Sequence, residues 1–187
     1  MKRRDLIAGA VSVAGLAAAN KVLAEPGAAP TEAKTAKPAV TEATVQGIYQ
    51  ATSKAEGVGE TTAPVVILKA RDQERYLPIW IGALESYSIA FGLDNSKPSR
   101  PMSHDLMAEL IKALRGRVEA VYVMRGADEH TFYSTIKVVG NGIETEVDSR
   151  PSDALALALR VKTPIFVATD LMKQTTLDEI KIELRQK

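Results

Sequence analysis

Ser99-Arg100-Pro101, followed by Ser103, His104 and Asp105, is echoed fifty residues further on by Ser149-Arg150-Pro151 with Ser152 and Asp153. Each copy leads into an apolar stretch. A proline begins a helix without wasting an amide donor, Ser and Asp suit the first turn, and an Arg just outside adds a guanidinium fork. Two such helix starts present free N–H groups and positive charge that suit a phosphate, and their aspartates suit a divalent cation. The same residues also make ordinary N-terminal caps, with each Arg paired to a first-turn Asp. The spacing alone leaves both readings open.

The elements that must hold these residues follow from periodicity. Apolar runs predict strands near 45–52, 65–71 and 76–82, the last two joined as a hairpin through a polar DQER turn. Residues 83–93 predict a helix, and residues 104–115 a second with Leu106, Met107, Leu110, Ile111 and Leu114 on one face. Strands follow at 117–124, 131–139 and 142–148, the last pair turned by Gly140-Asn141-Gly142. DALALALRV alternates like a strand, but Ala and Leu are the best helix formers, and a helix apolar on all sides is a buried one. A strand at PIFVA comes next, then a short helix opened by a capping box of Thr175 or Thr176 with Asp178 or Glu179. This order predicts a single compact α+β domain with a largely antiparallel or mixed sheet and about four helices. Trp80, Tyr122, Phe132 and Phe166 are expected in its core, Tyr76 and Tyr87 flank the Glu85 segment, and His130 falls in a solvated turn. The charged EIKIELRQK is expected as an exposed amphipathic helix.

The chain has 187 residues, 45% of them hydrophobic and 25% charged, which suits one globular domain with an appendage. With no cysteine, disulfides, thiolate metal sites and cysteine nucleophiles are excluded. Lys2, Arg3 and Arg4 ahead of the apolar stretch from Leu6 to Ala19 read as an export signal cut after Ala24, and the Arg3-Arg4 pair resembles a twin-arginine signal. An ordinary secretory signal or an uncleaved anchor is the alternative; each places the domain outside the cytoplasm, periplasmic or extracellular. The stretch is short for a membrane span, so no stable span is expected once the signal is removed. Residues 25–43, rich in Ala, Pro, Thr and Lys, predict a disordered linker, with the domain beginning at 44. The net charge of +1 falls to about −2 without residues 1–24, so nucleic-acid binding has to come from a local cluster rather than bulk charge.

The strings RYLPIWIG with Glu85, RPMSHDLM, and VDSRPSDALALALR followed by PIFVA resemble, in order and spacing, the hallmark segments of the bifunctional nuclease domain family. The resemblance spans about residues 45–172 and implies an α+β fold and, as for some members, cleavage of both RNA and DNA. For phosphodiester hydrolysis a base or metal must activate water, and positive charge must meet the developing phosphorane. Within the matching segments Glu85, Asp105, Asp148 and Asp153 are the carboxylates, the three aspartates being the expected ligands for Mg²⁺ or Mn²⁺. His104 is the expected general acid or base, imidazole being the side chain whose charge changes near neutral pH. Arg100 and Arg150 are expected on phosphate, with Ser103 and Ser152 assisting through hydroxyl and backbone N–H groups. The implied function is an exported nuclease of low sequence specificity acting on RNA, DNA or both. The alternatives are a non-catalytic binding or assembly module on the same fold, and a protein whose homo-oligomeric surface is the functional one. Gathering of Glu85, His104, Asp105, Asp148, Arg150 and Asp153 in one cleft favours catalysis; scattering favours capping.

Overall fold

A computed structural model describes residues 38–55, 59–96, 98–126 and 131–186. The expected signal, residues 25–37 of the expected linker, and His130 lie outside the described residues. Two antiparallel meanders are joined by one short strand. The first is β1 (Val40–Ala55), β2 (Gly59–Ala70) and β3 (Arg75–Trp80); the second is β4 (Gly116–Arg125), β5 (Phe132–Gly140) and β6 (Ile143–Ser149). Between them β7 (Ile165–Ala168) runs parallel to β4 and antiparallel to β1. With β8 (Lys173–Gln174) on the far edge, the order is β6-β5-β4-β7-β1-β2-β3-β8, an eight-stranded mixed sheet. Asn141 and Gly142 both have positive φ, so the expected β5–β6 hairpin closes on a turn whose twist matches the strands.

Helices α1 (Ala83–Leu93) and α2 (Ser103–Ala113) connect β3 to β4, and α3 (Pro151–Val161) connects β6 to β7. The Ala/Leu alternation is a helix, as its propensity requires: Ala154 to Ala158 are all buried between the sheet and α1 and α2. Val66, Leu68, Val121, Val123, Ile165 and Val167 complete this main core from the sheet. Gly92 sets the approach of α1 to α3, because a Cβ there would lie 2.8 Å from Leu159 Cβ. On the opposite face α4 (Leu177–Gln186) covers the β1–β3 half, burying Ile180 and Leu184 against Ala51, Val65, Ile67 and Tyr76. Its start is the expected capping box: Glu179 N–H donates to Thr176 Oγ1 (3.2 Å), and Thr176 N–H donates to Glu179 Oε2 (2.9 Å).

Several expectations are revised. The sheet begins at Val40, inside the stretch expected as linker, because Val40–Ala43 pair with β7 and Ala43 is buried. Trp80 is 44% exposed and not a core residue; Tyr76, not Trp80, is the buried aromatic of β3. Tyr122 and Phe166 stack at 5.3 Å, both half-buried. The leucine face of α2 is not buried: Leu106, Leu110 and Leu114 are exposed, and no α2 residue is buried. No helix among the described residues is long and apolar enough to cross a membrane.

Candidate functional site

Glu85, Asp105 and Asp153 occupy the same place in three helices. Each is the third residue, where a carboxylate meets the partial positive charge and free amides of the first turn. The site forms where these N-terminal ends approach one another. Arg150, the N-cap of α3, donates through Nε and Nη2 to both oxygens of Asp153 (2.7 and 3.0 Å), and through Nη1 to Glu85 Oε1 on α1 (2.9 Å). His104, second residue of α2, joins the ring through Nε2, 3.2 Å from Asp153 Oδ1, and its Nδ1 lies 2.8 Å from the hydroxyl of Ser88 on α1.

Proton placement follows from the partners. The Arg150 guanidinium holds the Asp153 carboxyl below its usual range; burial opposes this, and His104 adds to the lowering. An ionised carboxylate only accepts, so His104 carries its proton on Nε2, and the Nδ1 lone pair accepts from Ser88 Oγ. Reciprocally, Asp153 and then Glu85 raise the pKa of Arg150. The Arg150 side chain is nonetheless 65% exposed, so it is a paired cation that an incoming anion can reach.

These groups border an open groove of about 640 Å³ whose other walls are Leu84, Tyr87, Phe91, Met102 and Met107. Ser103, first residue of α2, lies at its edge. The structure therefore brings together Glu85, Ser103, His104, Arg150 and Asp153 from the expected set.

The remaining expected residues stand elsewhere. Asp105 does not face this groove. Although burial pushes its pKa up, the Met102 N–H and the Arg160 guanidinium carry it below the usual value. Arg160 also donates to the carbonyls of Ser88 and Ala156, so it is a buried strut tying α2 and α1 to α3. Asp148 pairs across the ladder with Thr135, on the strand positions that carry Lys137 and Glu146 and thus on the sheet face away from α1–α3. Ser152 is buried and is not among the residues that line this groove, and Arg100 is exposed without a side-chain partner among the described residues.

The displacement of Arg100 has a local cause. The Ser-Arg-Pro echo aligns the two copies fifty residues apart, but the helices align Asp105 with Asp153, forty-eight apart. Pro151 is the first residue of α3, whereas Pro101 precedes the N-cap of α2, leaving Arg100 two residues outside it. Ser88 is the member of the ring that the motif reading passes over, since nothing within α1 sets it apart from an ordinary helix serine.

No group of three or more His, Asp or Glu side chains suited to a metal is gathered among the described residues. The expected aspartate trio is separated because Asp105 turns to Arg160 and Asp148 to the other sheet face. Glu85 and Asp153 are the two carboxylates that flank a common point, now held by the Arg150 fork.

Residues 66–179, which contain α1–α3 and the whole ring, match the sequence profile of the bifunctional nuclease domain. An uncharacterised protein of Mycobacterium tuberculosis is 40% identical over 114 residues, 61% of this chain and 67% of that protein. Bifunctional nuclease 1 of Arabidopsis thaliana is 31% identical over 107 residues, 56% of this chain and 33% of that protein. Bifunctional nuclease 2 of Oryza sativa subsp. japonica is 29% identical over 112 residues, 58% of this chain and 34% of that protein. The chain thus spans about a third of each plant relative. With the match running through every element that carries the ring, the chain belongs to the bifunctional nuclease domain family.

Proposed function

We propose that the groove hydrolyses phosphodiester bonds of RNA, DNA or both. The observation that carries this reading is the approach of helix N-termini around a solvent-reachable Arg150 with a His104–Asp153 pair beside it. Helix N-termini and a guanidinium fork favour an anion with several oxygens. A phosphate at Arg150 replaces the carboxylates now on its nitrogens. Glu85, released, takes the proton of the attacking water as its oxygen bonds to phosphorus.

The departing oxygen then needs a proton. His104 in its protonated form turns its Nε2 proton from Asp153 to that oxygen and is left as the neutral imidazole with its remaining proton on Nδ1. Ser88 holds Nδ1 in both charge states, because a hydroxyl both donates and accepts. Divalent metal assistance is part of the proposal. Glu85 and Asp153 would hold Mg²⁺ or Mn²⁺ that arrives with substrate phosphate, since Mg²⁺ commonly takes one or two carboxylates plus phosphate oxygens. When bound, the ion would polarise the phosphoryl oxygen.

Export by residues 1–24 is likewise proposed, on the basic start, apolar stretch and Ala24. Cell fractionation and the N-terminal mass of the processed chain test it.

Cleavage of labelled single-stranded RNA and DNA by the purified chain, with Mg²⁺, Mn²⁺ or chelator, tests the activity beside Asp153→Asn and Glu85→Gln variants of verified fold. Turnover reduced by about 10²-fold or more in both variants is expected. Equal turnover in all three proteins would reject the site. Absence of turnover under every condition would favour a binding module, a reading to which the largely apolar groove walls give a specific basis.

A further inference from the structure

Helix α2 turns its larger apolar side chains to solvent. Its inner side contributes only the half-buried Ala108 and Ile111 to the main core, and polar links hold it in place: Asp105 to Arg160 and His104 to Asp153. Outward stand Leu106 (54% exposed), Met107 (37%), Leu110 (52%) and Leu114 (74%). Met107, Leu110 and Leu114 follow the 3–4 spacing of a helix-pairing seam. An amphipathic helix in this orientation is stable chiefly when its exposed stripe is covered.

We propose that α2 is the interface of a homodimer, packed antiparallel against α2 of a second copy across a two-fold axis at Leu110. The pattern is self-complementary about that residue. Leu106 lies level with Leu114 of the second copy, and Met107 with its Ala113. Each pairing therefore forms twice along an apolar strip.

The size also fits. Leu84 and Tyr87 on α1 extend the strip, at 81% and 63% exposure. Taking on the order of 200 Å² for each fully exposed large side chain, the six residues offer about 700 Å², close to the roughly 800 Å² per partner of a specific interface. Acidic and basic flanks in equal measure suit a protein partner better than a lipid surface, which favours a lysine-rich flank. Leu84, Tyr87 and Met107 also wall the groove, so the second copy would border its open side.

The test is sedimentation velocity of the purified full chain over a wide concentration range, beside Leu110→Lys and Leu114→Lys. A dimer is expected whose dissociation constant rises at least about tenfold in each variant. Because the chain has no cysteine, Leu110→Cys gives a single thiol. A short bis-maleimide should link two copies at 110, and should not do so at a Glu144→Cys control on the other sheet face. A monomer at all concentrations overturns the proposal. If that monomer co-sediments with phosphatidylglycerol vesicles the face belongs to a membrane, and if not, to a different partner. A dimer indifferent to Leu110→Lys and unlinked at 110 overturns it in favour of another surface.

Discussion

Replacing Asp105 with alanine separates a structural carboxylate from a chemical one. Arg160 is only 8% exposed as a side chain and Asp105 27%, so removing the acid strands a guanidinium in the interior. Breaking a buried pair on one side costs about 3–5 kcal/mol; the partial exposure of Asp105 and the two carbonyls Arg160 retains place this case near the low end. Loss of the acceptor for Met102 N–H adds about 1 kcal/mol, as for other N-terminal caps. The expected destabilisation is about 3–4 kcal/mol at pH 7. With a urea slope of about 2 kcal/mol/M, the unfolding midpoint falls by about 1.5–2 M.

The pH dependence checks the cause. The folded pKa of Asp105 lies below its ordinary 3.8. Its contribution is therefore complete above that value and disappears as pH falls through the lower, folded one. The gap between wild type and Asp105→Ala should be full at pH 5–7 and shrink below about pH 3.5. Urea titrations at several pH values, with cleavage measured on the folded fraction, decide the matter. An unchanged midpoint at pH 7 together with a 10²-fold loss of turnover would refute the strut and return Asp105 to the chemistry.

Three further outcomes follow from the geometry. Ser88→Ala removes the partner of His104 Nδ1; turnover should fall about tenfold with a displaced pH–rate profile while the melting temperature hardly moves, and an unchanged profile would remove Ser88 from the site. Arg150→Lys keeps the charge but cannot serve both Asp153 oxygens and Glu85 in a planar fork; an increase in KM of about tenfold is expected from steady-state kinetics, and wild-type kinetics would argue against phosphate binding there. Gly92→Ala places a methyl against Leu159 and should cost about 1–3 kcal/mol in thermal or urea unfolding, with no loss meaning that α1 and α3 can part at that point.

Regular elements were legible because their signals are local. The GNG turn, the Thr176–Glu179 box and the Ala/Leu helix each depend on residues a few positions apart, and each is present. The parallel β4–β7 pairing is not such a signal: it joins residues more than forty apart through a helix and a hairpin. The site was half legible for the same reason. Glu85, His104, Arg150 and Asp153 were identifiable by type, but whether an aspartate meets Arg160 or Arg150 depends on how three helices dock. Asp148 shows the sharper limit, since one position along a strand decides the face, and its neighbour Ser149 points the other way. The α2 leucines were correctly grouped on one face, but periodicity reports a face and not what lies against it.

The recurrence of an acid at the third position of α1, α2 and α3 explains how the ring is held and bears on the proposed activity. A carboxylate there is favoured by its own helix, so Glu85, Asp105 and Asp153 need no common partner to be stable as anions. The cations decide their fates. Arg160 lies inside, and its pair with Asp105 fixes the docking of α2 against α3. Arg150 lies at the surface and shares itself between Glu85 and Asp153, two anions on different helices that water can also solvate. Exposed pairs of this kind contribute little to stability, so an anion that brings three oxygens to the same fork can displace them at small cost. In the proposed reaction, displacement leaves Glu85 without a partner and Asp153 on His104 alone, so the binding of phosphate would itself create the unpaired base. The buried pair and the exposed ring are thus one sequence device used twice, and burial of the arginine separates scaffold from site.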